Sequence, residues 1–183
     1  LDVDRLSLLE IAMVLYTDEL EEIDTYTAVI FADDLVLTSC DDIARQLHEA
    51  SGLWDEIPEG KSLSQVREEV VAKFAKWSRY CDLKRTPLLG NSVHFDRALL
   101  RRFFRDQHDM LSHRNIDVSS LTELAKRWER DAIPRAFMSH RALDDVREST
   151  RILEEYRKKW LRLALHARLQ AWVSRIRRFW RKN

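Results

Sequence analysis

Three glycines, Gly52, Gly60 and Gly90, are all that 183 residues contain. A glycine-rich phosphate cradle of the P-loop or dinucleotide-binding type needs closely spaced glycines so that the backbone can approach phosphate oxygens. Neither can be assembled here, and both nucleotide-binding classes are excluded. Cysteine is scarcer still: Cys40 and Cys81 offer neither metal-ligand spacing nor a disulfide framework, and are expected as buried thiols in a reducing compartment. No apolar run approaches the length of a bilayer span, and the N-terminal residues lack the basic-then-apolar pattern of a secretion signal. A soluble protein is expected, cytoplasmic, with a mitochondrial location as the alternative. The first residue is Leu1 rather than methionine, which points to further residues upstream.

Acidic residues are missing from one region altogether. From Arg157 onward there are ten basic residues and no acidic one, so the formal net charge of zero conceals a body with 21 basic against 31 acidic side chains, a charge of −10. An acidic body with a basic tail implies two separate tasks. The length suits one well-buried domain.

What is present reads as alternating short apolar runs and amphipathic segments. LLEIAMVLYT and YTAVIFA are β-branched runs separated by the acidic turn DELEEID, an antiparallel hairpin. DDIARQLHEASGL is a helix capped by Asp41 or Asp42, with Gly52 near its end. Ser62 or Ser64 caps the long helix SQVREEVVAKFAKWSRYC. TPLLGNSV is a strand entering a turn, DRALLRRFFRDQHDML a helix, RNIDVSSL a strand-like run, and SLTELAKRW a helix opened by a serine cap. One last helix runs from about Ala142 towards the end of the chain. Strands first, then helices alternating with strands, predict an α/β layered domain with a mixed sheet.

SHRALDD, residues 139 to 145, brings a histidine and two aspartates within about one and a half helical turns. Asp144 and Asp145 could simply be solvated in the first turn, where the helix dipole favours negative charge. GNSVHFD, residues 90 to 96, ends a strand in a Gly-Asn-Ser turn and puts Asp96 at the start of the next helix, where a carboxylate could equally be a cap.

Taken together, GNSVHFD, HRNIDVSSLTELAKRW and SHRALDDVREST, with LEIA near the start and HEASGL at 48 to 53, closely resemble the oligoribonucleases. These are a branch of the DEDDh 3′-to-5′ exonucleases with a ribonuclease H-like fold. The resemblance spans roughly residues 1–160, the exonuclease-like domain, and leaves 161–183 as a basic amphipathic helix. It implies hydrolysis of short oligoribonucleotides to mononucleotides with two divalent ions, Mg²⁺ or Mn²⁺, held by hard carboxylate oxygens. Asp96 and Asp145 match two metal-binding carboxylates, and His140 matches the general base, whose ordinary pKa near neutrality suits removing a proton from water. Asp144 is expected to face away.

The family's other two carboxylates form an Asp-x-Glu pair on its first, central strand, a few residues before a Gly-Leu-Asp turn. This chain begins at the Leu-Asp of that turn, so the pair is expected upstream of Leu1, and the ribonuclease H-like sheet is expected to lack its first central strand as given. Activity is expected to need that pair. Asp2 and Asp4 have the right spacing, but aligning LEIA puts them in the following loop.

By the same resemblance Leu1 wedges against the bases, and Ser92, Arg114, Ser119 and His48 surround the terminal phosphate, with His113 beside them. Ser119 could instead be only a helix cap, and His48 an ordinary surface histidine. The family usually has an aromatic residue where Ile43 stands and a tyrosine where His113 stands. Isoleucine packs on a base without the stacking an indole provides. A homodimer is implied. In the tail, Leu161, Leu165, Leu169, Trp172 and Ile176 form a stripe at steps of three and four. That stripe suits packing on the body or a second subunit, a membrane surface, or RNA. The opposing reading of the whole chain is a catalytically inactive exonuclease-fold scaffold in an RNA-protein assembly.

Overall fold

The computed structural model describes residues 7–128, 134, 136, 137 and 139–180, with side chains through 162. Strand β1 (Glu10–Tyr16) pairs antiparallel with β2 (Glu22–Val29), in a register that sets Glu10 opposite Val29 and Leu15 opposite Asp24. The connecting turn is shorter than the acidic segment suggested. The Thr17 hydroxyl accepts the N–H groups of Glu19 and Glu21 at 3.2 and 3.1 Å, and Leu20 at φ 69° reverses the chain, so Glu22 already pairs with Tyr16. Asp24 can belong to a strand because Trp77 Nε1, Lys73 and Lys76 donate to its carboxylate at 2.8 to 3.1 Å. These donors, the indole first, hold its carboxyl well below the usual range.

Helices α1 (Asp34–Thr38), α2 (Asp42–Ala50) and α3 (Leu53–Glu56) follow. The Asp41 side chain caps α2, as its sequence predicts, whereas the small α1 has no periodic signal. Gly52 has φ 76° and makes the turn into α3. The next segment crosses close to β2: Lys61 and Ile30 form a parallel bridge, leaving no room for a side chain at Gly60.

Helix α4 (Leu63–Trp77) opens with a complete capping box between Ser62 and Gln65. Its Val66, Val70, Phe74 and Trp77, at steps of four, four and three, make one buried stripe. They pack with Leu15, Tyr26 and Ala28 of the hairpin and with Leu83, Leu100 and Phe104 as the main core.

Strand β3 (Leu88–Gly90) pairs in parallel with β4 (Asn115–Asp117). Between them lie α5 (His94–Phe103) and α6 (Arg105–Met110). The sequence predicts one helix here, but Phe104 leaves helical geometry at φ −139° and ψ 55° so that its ring is buried in the core. Helix α7 (Val118–Trp128) starts directly after β4, four residues into the run read as a strand, and α8 runs unbroken from Ala142 to Trp180. Val118, Ile152 and Tyr156 lock α7 to α8.

The α/β class is as expected. The expected mixed sheet occurs as two ladders among the described residues, β1–β2 antiparallel and β3–β4 parallel, and α8 packs on both β1 and β3. Cys40 and Cys81 are free thiols but only half-buried, a correction to the expectation of full burial: Cys40 lies between α1 and α2, and Cys81 packs on the edge of the main core just after α4. Among the described residues no helix is long and apolar enough to cross a membrane.

Candidate active site

The residues expected to carry the chemistry fall into two groups, one on β3, α5 and α7, the other where α8 begins against β1 and α2. In the first, Gly90, Asn91 and Ser92 turn the chain out of β3, and Ser92 sits at φ 56°. A non-glycine residue pays roughly 1–2 kcal/mol for that left-handed conformation. It is held there by Asp117, whose Oδ1 accepts the Ser92 N–H at 3.0 Å, the Ser119 N–H at 3.0 Å and the Ser119 hydroxyl at 2.6 Å. Burial pushes the Asp117 carboxyl up, but these donors together outweigh it and hold the group below the ordinary range. Ser92 and Ser119 are therefore brought together, and Ser119 is not the helix cap. Asp117 does that work from the preceding position.

Asp96 lies in the first turn of α5 with one carboxylate oxygen close over Gly90. Part of the residue reaches solvent, yet protein crowds the carboxyl enough that desolvation pushes it above the usual range, helped by nearby Asp117 and opposed by its own backbone and by His94. His113 and Arg114 stand exposed just before β4. Their segment is gripped from α5 by Arg97, which donates to Asn115 Oδ1 at 2.7 Å and to the carbonyls of Ser112 and Arg114 at 2.9 and 3.1 Å.

In the second group His140 precedes α8 at φ 58° and is exposed. Asp145, one turn into the helix, accepts the Ser139 N–H at 3.2 Å. Burial raises its carboxyl, against the lowering pull of Ser139 and of His140. Asp144 faces solvent and accepts from the Ser139 hydroxyl at 3.1 Å, an end-of-helix role as expected. His48, in the last turn of α2, has a buried Nδ1 with no hydrogen-bond partner, so it is not an ordinary surface histidine. Burial lowers its pKa, Glu10 raises it and His140 lowers it, which puts Glu10, His48 and His140 in one electrostatic neighbourhood. On the same helix Ile43 is 70% exposed. Leu1, Asp2 and Asp4 lie outside the described residues.

Asp96 and Asp145 suit a hard divalent cation in kind: both are oxygen donors whose carboxyls burial raises and which a bound cation would relieve. They fall short in number, since among the described residues no three His, Cys, Asp or Glu side chains cluster to hold an ion. Sequence reasoning passed over Glu10, Arg97, Asp117 and Arg141. Asp117 had a local signal, a carboxylate two positions before a serine at a strand-to-helix junction; the other three act on residues distant in sequence.

The exonuclease family model matches residues 1–153. The oligoribonuclease of Leifsonia xyli subsp. xyli is 36% identical over 169 residues, covering 86% of this chain and 77% of its own length. That of Hahella chejuensis is 35% identical over 167 residues, with 89% and 90% covered, and that of Pseudomonas putida 33% over 168, with 89% and 91% covered. The chain belongs to the exonuclease family and, within it, to the oligoribonucleases. Enzymes of this family use divalent metals.

Proposed function

We propose that the protein is a 3′-to-5′ exoribonuclease that hydrolyses short single-stranded oligoribonucleotides to mononucleotides. The observation that carries this reading is the match to oligoribonucleases over most of the chain, with Asp145 held by Ser139 in the turn that follows His140. His140, exposed and outside the helix, receives the proton of the attacking water. Water's oxygen joins the scissile phosphorus, the bond to the 3′ oxygen breaks, and that oxygen takes up a proton as the shortened chain departs. Asp96 and Asp145 would help to hold two divalent ions, Mg²⁺ or Mn²⁺, and bound there the ions would supply charge neutralisation at the phosphate.

Ser92, Ser119, Arg114, His113 and His48 receive the terminal phosphate. The serines brought together at Asp117 and the unpartnered Nδ1 of His48 support this assignment, and a closed phosphate pocket would favour short chains over long ones. A homodimer and RNA contacts by the basic end of α8 belong to the same proposal, and sedimentation with and without RNA tests both.

The decisive assay incubates the full-length protein with a 5′-labelled diribonucleotide and Mn²⁺, beside Asp145→Ala and His140→Ala. Loss of a metal ligand or of the base is expected to cost about 10²-fold to 10⁴-fold in rate. Unchanged cleavage in both variants refutes the assignment, and no cleavage by the parent across a metal titration favours an inactive RNA-binding scaffold.

A further inference from the structure

Glu10 opens β1 with its carboxylate turned inward, its side chain only 8% exposed. A buried carboxylate is costly unless paired and hydrogen-bonded. This one is fully engaged, and each of its contacts lies at the start of α8. Oε2 accepts the Ala142 N–H at 2.7 Å, and Oε1 accepts Arg141 Nε and Nη2 at 3.1 and 3.0 Å. The guanidinium reaches onward to α3, donating from Nη1 and Nη2 to the two oxygens of Glu56, both at 2.8 Å. A planar fork between two carboxylates fixes direction as well as distance, which an ammonium would not do.

The Ala142 N–H is one of the donors that a helix start leaves without an intrahelical acceptor. Here the acceptor comes from another element of the fold, 132 positions away in sequence. The residue before the clamp, at φ 58°, is His140. On its other side Ser139 is tied to Asp144 and Asp145. His140 is thus bracketed, its backbone held on one side by Ser139 and on the other by Arg141 and Ala142. The same guanidinium binds α3, which follows α2 and its His48 across the Gly52 turn.

We propose that Glu10 and Arg141 are positioning residues: their clamp fixes the left-handed step at His140 and so aims the imidazole relative to Asp145. Neither touches substrate. The inference rests on the reading of His140 as the base, and it goes beyond it by assigning the orientation of that base to a carboxylate on β1.

The test measures kcat and KM separately in the full-length protein for Glu10→Ala, Glu10→Gln, Arg141→Ala and Arg141→Lys, each at a temperature where circular dichroism shows it folded. Misaiming a reacting group by about 1 Å costs on the order of 100-fold, so both alanine variants are expected to lose about that in kcat with KM almost unchanged. Glu10→Gln keeps an acceptor for Ala142 and is expected to recover to within about tenfold, and Arg141→Lys, lacking the fork, is expected to stay about tenfold down. Amide exchange at Ala142 is expected to accelerate in Glu10→Ala and to remain slow in Glu10→Gln. If the alanine variants do not fold, the Gln and Lys variants decide alone. Wild-type kcat in a folded alanine variant or in Arg141→Lys, or a rise confined to KM, overturns the clamp while His140→Ala remains inactive. Wild-type kcat in His140→Ala instead refutes His140 as the base and removes the clamp's catalytic role with it, whatever the amide exchange shows.

Discussion

Replacing Asp117 tests the tether between the Ser92 turn and the start of α7. Its Oδ1 receives three donors, from Ser92 N–H, Ser119 N–H and the Ser119 hydroxyl, at 3.0, 3.0 and 2.6 Å. A hydrogen bond to a charged group contributes about 1.5–3 kcal/mol, and bonds sharing one oxygen do not add fully, so the set is worth roughly 3–4 kcal/mol. Releasing Ser92 from its left-handed conformation returns about 1 kcal/mol. Asp117→Ala is therefore expected to lower the unfolding free energy by about 2–3 kcal/mol, and Asp117→Asn, which keeps an acceptor, by about 1 kcal/mol. Urea titration followed by tryptophan fluorescence measures both. The pH dependence is the sharper check. The folded carboxyl lies below its ordinary value, so the charge-dependent stability is fully present above the unfolded pKa, about 3.9, and is lost as pH falls through the lower folded value. The gap between the parent and Asp117→Asn should be constant between neutrality and mild acid, then narrow below about pH 4. A gap that widens on acidification, or an alanine variant within about 0.5 kcal/mol of the parent, would show that Asp117 does not hold the turn.

Other outcomes follow from single positions. A Cβ at Gly60 would sit 2.6 Å from Phe31 N and 2.7 Å from Ile30 C, both backbone atoms, so Gly60→Ala is expected to cost more than about 3 kcal/mol, visible as lost soluble protein or a large fall in Tm. Asp24→Ala strands Trp77 Nε1 and two lysines and is expected to cost about 2 kcal/mol, a drop in Tm of about 4–8 °C; a drop below about 1 °C would contradict the network. Ser62→Ala breaks the capping box and should cost about 1 kcal/mol in urea titration, with catalysis at saturating substrate untouched.

Local chemistry made much of this legible. Asp41, Ser62 and the α8 start near Ala142 were readable because a cap acts within three residues of itself. The stripe of α4 was readable because its period is set by the helix alone. The break at Phe104 was not, since RRFFRD has no breaker and the interruption exists only because the core takes that ring. The ladders' separation, Arg97's grip on the Ser112–Asn115 segment and the Glu10 clamp depend on pairs far apart in sequence. For the site, His140, Asp145 and Asp96 came from motif resemblance, and the geometry adds what surrounds them: a left-handed step at His140, an unpartnered nitrogen at His48, and carboxyls raised by burial.

Helix α8 contains neither glycine nor proline between Ala142 and Trp180. At 1.5 Å per residue it is about 58 Å long, well beyond the diameter of a small domain. Its first turn holds Asp145 and its far end carries the basic stretch, with no joint between them to absorb a bend. Its first turn is anchored to β1 through the Ala142 N–H on Glu10, so the longest element among the described residues is fixed to the rest of the fold at the turn that carries Asp145.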